Sequence, residues 1–153
     1  MAYITRLKDL MNTLSNHKKD TVFVCERSTD TDHYVFAKML YESGKIREID
    51  WQIYQQYVYT FTDKYKVNGV VYVKTQPEIC LERIKKRNRS GEEVVPLDYL
   101  RNCHNYHTHW LEEPEWESKV FTLDSTPDTN DDSYWIEQEK NITKFITKMQ
   151  RKY

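Results

Sequence analysis

The sequence predicts an α/β protein in which helices flank a parallel sheet. Three short apolar runs, at residues 20–25, 70–75 and 119–124, alternate with segments of helical periodicity. Such runs are typical of strands buried on both faces, and their alternation with helices favours parallel strands joined by right-handed crossovers. No stretch of linker composition divides the 153 residues, so we expect a single domain over 1–153.

The first half of the chain predicts three helices around the first strand. Residues 2–16 and 31–43 have the spacing of amphipathic helices, and Gly44 stands where a glycine cap ends a helix. An aromatic helix is expected at 49–66. The predicted apolar face of the first helix consists of Ile4, Leu7, Leu10, Met11 and Leu14. The stripe of the aromatic helix consists of Trp51, Tyr54, Tyr57, Val58 and Phe61.

The second half predicts two strands and three further helices. Pro77 and Pro96 each stand at the favoured first position of a helix, and these helices are expected to run to Arg87 and Leu111. The third strand is followed by a polar loop at 125–132. A last amphipathic helix is expected at 135–150.

Composition excludes several classes of partner and environment. Lys and Arg number 23 against 24 Asp and Glu, which gives no reason to expect nucleic acid or an anionic membrane as partner. No apolar run approaches the ~20 residues that cross a membrane, and the N-terminal segment lacks a signal-peptide core. Cys25, Cys80 and Cys103 are odd in number and widely spaced, which favours a reducing, cytoplasmic location.

Glu26 and Arg27 form the first candidate site, directly after the first predicted strand. In open parallel sheets ligands bind beyond the carboxyl ends of the strands. A carboxylate there can hold Mg²⁺, and a guanidinium can grip an oxygen-rich ligand. An ordinary ion pair or helix cap is the alternative interpretation of these two residues taken alone.

Arg83, Arg87 and Arg89 form the second candidate site. Arg83 and Arg87 are four residues apart and share a helix face, and Arg89 falls at the helix end beside Ser90-Gly91. Helical arginines that end in a loop suit the gripping of a transferring phosphate. A solvated basic face is the alternative, and the acidic pair Glu92-Glu93 speaks against nucleic acid.

Two other patterns favour structural roles. The stretch CHNYHTH at 103–109 has Cys and His but lacks the paired spacing of a zinc site. The aromatic side chains of 49–66 are able to stack on bases, yet their regular helical spacing favours a core and a helix–helix interface.

Several linked stretches together resemble deoxynucleoside kinases. These are ERSTDTDHYVFAKMLYESG, EIDWQIYQQY, GVVYVKTQPEICLERIKKRNRSGEEVVPLDYL and the pattern HxxHxxWL at 104–111. Their order and spacing agree with the family across nearly the whole chain. The run DHYVFAKMLYESG is more similar to the deoxycytidine/deoxyguanosine kinase branch than to the thymidine-preferring branch.

The resemblance implies a P-loop-kinase-like fold and ATP-dependent transfer of the γ-phosphoryl group to the 5′-hydroxyl of a deoxynucleoside. It implies that Glu26 helps to hold Mg²⁺ and that Arg27 contacts the nucleoside near its 5′-oxygen. It places Asp32 near the base and gives Glu92 a contact with the sugar 3′-hydroxyl.

The resemblance also assigns the phosphate and adenine end of the site. Arg83, Arg87 and Arg89 would belong to a helix and lid that close over the phosphates, and the loop near Asp124 would lie by the adenine of ATP. The aromatic helix would belong to the layer used in dimer contacts.

Departures from the family pattern concern its beginning. The glycines, at 44, 69 and 91, form no GxxxxGK(S/T) phosphate loop, and the family's general-base glutamate has no counterpart. We therefore expect the chain to match the C-terminal two-thirds of such a kinase, incomplete at the N-terminus. It would then be marginally stable alone, and would form a homodimer or bind a chain that supplies the N-terminal part.

Three positions near the expected nucleoside also depart from the family pattern. Tyr3 matches a family tyrosine, which puts Met1 where a base-binding glutamine is expected. Lys8 falls where a base-side arginine is expected, and His33 replaces an arginine.

Two alternatives to an active deoxynucleoside kinase stay open: a catalytically inactive nucleoside-binding or dimer-partner remnant, and a thymidylate-kinase-like nucleoside monophosphate kinase.

Overall fold

The computed structural model describes residues 2–16, 21–62, 64–126 and 132–150. They fall into two compact units, Met1–Val67 and Asn68–Tyr153. The described part of the first unit is helical, and the second contains a parallel sheet with helices. No helix among the described residues is long and apolar enough to cross a membrane.

The first unit contains the three predicted helices. Helix α1 is Ala2–Ser15. Helix α2 consists of three consecutive segments, an α-helical turn at Thr29–Thr31, a π-helical segment at Asp32–Ala37 and an α-helix at Lys38–Glu42. Helix α3 is Glu48–Thr62. The π-helical segment was not predicted, since the apolar spacing of the sequence does not separate it from an α-helix.

Gly44 ends α2 as the sequence predicts. Its φ of 75° lies in the left-handed region, where glycine has no steric penalty. The Gly44 N–H donates to the Tyr41 carbonyl and the Lys45 N–H to the Leu40 carbonyl, both at 2.9 Å. These two bonds satisfy carbonyls that the helix end leaves open.

The core of the first unit joins α1 to α3. Tyr3, Leu7 and Val58 are buried, and they pack against the partly buried Met11, Tyr54, Phe61 and Tyr65. The predicted apolar face of α1 was wrong at one position. Ile4, assigned to that face, is 58% exposed, whereas Tyr3, which was left out of it, is buried. A tyrosine ring buries a large apolar area despite its hydroxyl, and the aliphatic pattern overlooked it.

The prediction of a buried strand at 20–25 was wrong for its described part, 21–25. These residues form no strand and are exposed, Val24 by 80%. A strand requires a neighbouring strand for its backbone groups, and the described residues of the first unit contain none. An apolar run marks a segment that can be buried, but it does not supply that partner.

In the second unit the sheet pairs two of the three predicted strands. Strands β1, Val70–Lys74, and β2, Val120–Asp124, are parallel, with Val70 opposite Val120 and Lys74 opposite Asp124. Their parallel pairing confirms that part of the predicted fold. Most of their side chains are half-buried or exposed, whereas strands covered on both faces were expected.

Among the described residues, three α-helices and a short 3-10 helix, Glu117–Lys119, accompany this sheet. The α-helices are numbered on from the first unit. They are α4, Pro77–Arg87, α5, Leu97–Leu111, and α6, Asp132–Gln150. The ring of His107 on α5 stacks on Tyr72 of β1 at 5.9 Å, and Phe145 of α6 packs on Phe121 of β2 at 5.9 Å. Part of the predicted polar loop at 125–132 lies outside the described residues.

Candidate functional site

Glu26 and Arg27 lie on an exposed bend directly before α2. Ser28 is the N-cap of that helix, and its Oγ accepts the Thr31 N–H at 3.1 Å. The Arg27 guanidinium carbon lies 4.9 Å from the centre of the Phe36 ring. This cation–π contact orients an otherwise exposed cation on the surface of α2.

Asp32, at the start of the π-helical segment, is a buried carboxylate with a fixed partner. Its Oδ2 accepts the Arg6 Nε–H at 2.8 Å, and the two side chains are 8% and 33% exposed. The Asp32 backbone N–H donates to the Ser28 carbonyl at 3.2 Å. A buried charge is costly unless it is paired, so this ion pair explains how α2 tolerates an aspartate inside the unit.

Arg6 is the charged residue that the sequence interpretation missed. The expected basic position, Lys8, is exposed, and Arg6 makes the ion pair with Asp32 instead. Helical spacing could have indicated Arg6, because it is three residues after Tyr3 and directly precedes Leu7, and both of those side chains are buried. Met1, the other expected base-side position, lies outside the described residues.

Aromatic rings of α2 and α3 surround His33, the neighbour of Asp32. His33 stacks on Trp51 at 5.7 Å with an interplanar angle of 5°, and Trp51 stacks on Tyr41 at 4.7 Å. Burial, and to a lesser degree the charge of Lys38, lowers the pKa of His33. His33 Nδ1 has no hydrogen-bond partner among the described residues.

Tyr54 adds a buried hydroxyl near Asp32. Burial raises its pKa, and the neighbouring Tyr3 and Asp32 raise it further. The Tyr54 hydroxyl has no hydrogen-bond partner within the described ranges, and its ring meets Tyr3 edge-on at 5.4 Å. The Tyr54 hydroxyl therefore lies within electrostatic reach of Asp32, beside the aromatic rings that surround His33.

In the second unit Arg83 reaches the loop after β2. Its Nη1 donates to Ser125 Oγ and its Nη2 to the Thr126 carbonyl, both at 3.3 Å. The Ser125 N–H donates to the Lys74 carbonyl at 2.8 Å, which continues the parallel ladder past its last residue pair. Arg83 thus lies at the carboxyl edge of the sheet, where α/β proteins bind ligands.

Asp124 shapes that same loop. Its carboxylate accepts the Thr126 N–H at 2.9 Å, and this backbone bond holds the pKa of Asp124 below its usual value. The Asp124 carbonyl accepts the Tyr134 hydroxyl at 2.8 Å. The structure therefore brings Asp124 and Arg83 to one loop. Asp124 holds this loop through the Thr126 N–H, and Arg83, which lies on α4, holds it through Ser125 and Thr126.

Arg87, Arg89 and Glu92 converge at the end of α4. Arg87 donates from Nε to Glu92 Oε2 at 3.2 Å and also from Nη2 to the same oxygen. Arg89 Nη1 lies 3.6 Å from Glu92 Oε1. Asn88 ends the helix with a φ of 49°, which turns the chain back toward α4.

Within the described ranges no group of three or more His, Cys, Asp and Glu side chains could hold a metal ion. In the stretch 103–109, the His107 ring nitrogen Nδ1 bonds the Cys103 carbonyl at 2.7 Å and its ring stacks on Tyr72. Those contacts give His107 a structural role. Glu26 is a single exposed carboxylate.

Comparison with known proteins gives a consistent set of matches. The family model "Deoxynucleoside kinase" matches residues 1–152. Deoxycytidine kinase 2 of Gallus gallus is 39% identical over 137 residues, covering 80% of this chain and 51% of the relative. A probable deoxycytidine kinase of fowlpox virus is 35% identical, with 86% of this chain and 57% of the relative covered.

A third match lies in the deoxyguanosine branch. The mitochondrial deoxyguanosine kinase of Xenopus laevis is 32% identical over 114 residues, covering 72% of this chain and 43% of the relative. The chain spans about half the length of these curated relatives.

Proposed function

The chain belongs to the deoxynucleoside kinase family, and on that premise we propose that it carries the nucleoside-binding and phosphate-gripping residues of an enzyme that transfers the γ-phosphoryl group of ATP to the 5′-hydroxyl of a deoxynucleoside. The observation that supports this most is the position of Arg83, held at the carboxyl edge of the parallel sheet by Ser125 and Thr126. Arg87, four residues on, lies on the same helix face.

At the nucleoside end, we assign base recognition to the pair of Asp32 and Arg6. A buried, paired carboxylate and guanidinium present fixed acceptors and donors, and the low dielectric around them strengthens each hydrogen bond to a base edge. Arg27, oriented by Phe36, is assigned to the 5′-oxygen. Glu92 is assigned to the sugar 3′-hydroxyl.

At the phosphate end, Arg83, Arg87 and Arg89 supply positive charge. Phosphoryl transfer spreads negative charge over the phosphate oxygens, and catalysis depends on positioning and neutralisation of that charge. Guanidinium groups suit this task because their planar fork of donors matches phosphate oxygens. The loop held by Asp124 is assigned to the adenine end of ATP.

Mg²⁺ is the metal that we propose for this reaction. It retains several water ligands and is usually bound by one or two carboxylates together with substrate phosphates. Glu26 fits that requirement, since it is exposed and directly precedes Arg27, the residue assigned to the 5′-oxygen that receives the phosphoryl group. When bound, the ion neutralises charge on the nucleotide phosphates.

A transfer assay tests the proposal directly. The 153-residue sequence contains no GxxxxGK(S/T) motif, so the assay adds a purified N-terminal segment of a deoxynucleoside kinase that is chosen because its sequence contains this motif. The mixture receives γ-labelled ATP, Mg²⁺ and, in turn, each of the four deoxynucleosides and each of their 5′-monophosphates. We expect labelled 5′-monophosphate that disappears with Arg83→Ala and persists with the matched exposed control Lys85→Ala.

Other outcomes of this assay identify the alternatives. Label that enters a nucleoside monophosphate but no nucleoside would point to a thymidylate-kinase-like enzyme. Saturable deoxynucleoside binding by calorimetry, without any transfer, would point to a catalytically inactive binding protein. Absence of both binding and transfer would refute the proposal.

Dimerisation stays a prediction. Helix α3 exposes Ile49, Ile53 and Tyr57, which recur every four residues along one stripe. Sedimentation velocity tests the prediction: a dimer that dissociates in Ile53→Glu but persists in Gln52→Glu, an exposed position next to it, would support it. A monomeric wild-type chain at all concentrations would contradict it.

A further inference from the structure

The loop after α4 folds back on the helix that precedes it. Asn88 and Gly91 both have positive φ, 49° and 88°, and the Gly91 N–H donates to Glu93 Oε2 at 2.7 Å. The Glu92 N–H donates to the Arg89 carbonyl and the Val95 N–H to the Glu92 carbonyl, both at 3.1 Å. These turns bring the Glu92 side chain back to the last turn of α4.

Glu92 there faces two cations with its two carboxylate oxygens. Oε2 accepts both Arg87 bonds, and Oε1 faces Arg89 at 3.6 Å. The Glu92 side chain is 26% exposed, so it is the more buried member of each pair. The donors that suit a phosphate are therefore already directed at a carboxylate of this chain.

We propose that Glu92 is a built-in counter-ion, which occupies Arg87 and Arg89 until a polyphosphate displaces it. The identity of the displacing anion rests on the proposed function. A polyphosphate carries more negative charge and more acceptor oxygens than one carboxylate, so it competes successfully for the same guanidinium donors. Because both arginines are half-exposed or more, the existing pairs are weak enough to exchange.

The competition has a measurable consequence for anion affinity. Glu92→Gln removes the competing charge and keeps the shape of the side chain. Exposed ion pairs contribute little free energy, so releasing the arginines from Glu92 should increase anion affinity only modestly. We expect this variant to bind inorganic tripolyphosphate about two- to fivefold more tightly than the wild-type chain at low salt. The difference should shrink as salt is added, since screening weakens exposed pairs.

Glu93→Gln is the matched control. It removes the same charge from the same loop, but the described contact of Glu93 is with the Gly91 N–H, which an amide oxygen also accepts. Calorimetric titration of tripolyphosphate into the full chain and into both variants compares the three affinities. Tighter binding by Glu92→Gln than by Glu93→Gln supports the proposal.

Other results overturn it. Equal gains in the two variants would reduce the effect to net charge, and weaker or unmeasurable binding by Glu92→Gln would show that Glu92 does not compete. A second measurement needs no ligand: trypsin should cleave after Arg87 and Arg89 faster in Glu92→Gln than in Glu93→Gln, and equal rates would contradict the ion-pair arrangement.

These results are separable from those of the transfer assay. Tripolyphosphate has no base or sugar, and its binding requires no phosphoryl transfer. If the transfer assay fails while Glu92→Gln still tightens tripolyphosphate binding, the counter-ion remains and the kinase reaction is rejected. If transfer succeeds and the two variants bind tripolyphosphate equally, the kinase assignment remains and the counter-ion is rejected.

Discussion

The first and second units place their charged candidate residues in opposite environments. In the first, Asp32 is 8% exposed and its partner Arg6 is 33% exposed, and aromatic rings surround the adjacent His33. In the second, Arg87 and Arg89 pair with Glu92 on an exposed loop. A buried pair holds one geometry because breaking it strands a charge, whereas an exposed pair exchanges partners at little cost. This difference fits the two proposed roles, which are base selection in the first unit and binding and release of phosphates in the second.

The largest effect is expected from the core that supports the buried pair. Leu7→Ala should lower the free energy of unfolding by about 2–5 kcal/mol, because it removes a buried side chain and leaves a cavity. Ile4→Ala, at an exposed position on the same helix, should cost less than about 1 kcal/mol. Urea unfolding followed by circular dichroism measures both, and equal losses would mean that the assigned face of α1 is wrong.

The ion pair itself comes next. Arg6→Ala leaves the Asp32 carboxylate buried and unpaired, and we expect a loss of about 2–3 kcal/mol, below the value for a fully buried pair because Arg6 is partly exposed. The control Lys8→Ala should change stability by less than about 0.5 kcal/mol.

Hydrogen exchange read by mass spectrometry locates the damage from Arg6→Ala. Peptides of α1 and α2 should lose protection, and Asp32→Asn in the same chain should recover part of it. An Arg6→Ala chain as stable as Lys8→Ala would refute the view of Asp32 as a carboxylate that depends on its partner.

A smaller effect is expected from the matching change in the second unit. Arg83→Ala removes two hydrogen bonds of 3.3 Å to the loop after β2, so we expect a loss of about 1 kcal/mol. Lys85→Ala, exposed on the same helix, serves as the control in the same urea unfolding. A loss from Arg83→Ala larger than that from Arg6→Ala would reverse the comparison between the two units.

The smallest effect concerns pH. Because burial lowers the pKa of His33 below its ordinary 6.5, the unfolded chain takes up the proton more readily than the folded one as pH falls. The stability contributed by neutral His33 is present above about pH 6.5 and is lost as pH falls toward the folded pKa.

Thermal melts at about pH 7.5 and about pH 5.5 measure this loss. His33→Phe keeps an aromatic ring on Trp51 and removes the titration, so its melting temperature should drop less between the two pH values than that of the wild type. His109→Gln, at an exposed position of the second unit, should keep the wild-type drop. An identical drop in His33→Phe would show that His33 does not carry the effect.

Local signals predicted most of the helical elements. Helix α1, predicted at 2–16, is Ala2–Ser15, and Gly44 ends α2 through the expected cap. Pro77 begins α4, and the aromatic helix expected at 49–66 is Glu48–Thr62. These features depend on neighbours in sequence, such as apolar spacing and the backbone preferences of glycine and proline.

Features that depend on distant residues were predicted less well. The segment 21–25 has the apolar composition of a strand, yet no described residue of its unit supplies a strand partner. The choice of Arg6 over Lys8 depends on which face of α1 is buried, and that face is set by contacts with α3. The contact of Glu92 with a sugar stays a prediction, whereas its pairing with Arg87, which the sequence did not indicate, depends on the turns at Asn88 and Gly91.

The sequence by itself determined the family, the helices and their ends, the parallel pairing of two strands, and the grouping of Arg83, Arg87 and Arg89 near the end of one helix. The tertiary structure alone decided which side chains are buried, that Asp32 is paired with Arg6, and that Glu92 occupies the arginines. The physical reason is the range of the interactions. Helix propensity and capping act over a few residues, whereas the burial of a charge and the choice of its partner depend on groups that only folding brings together.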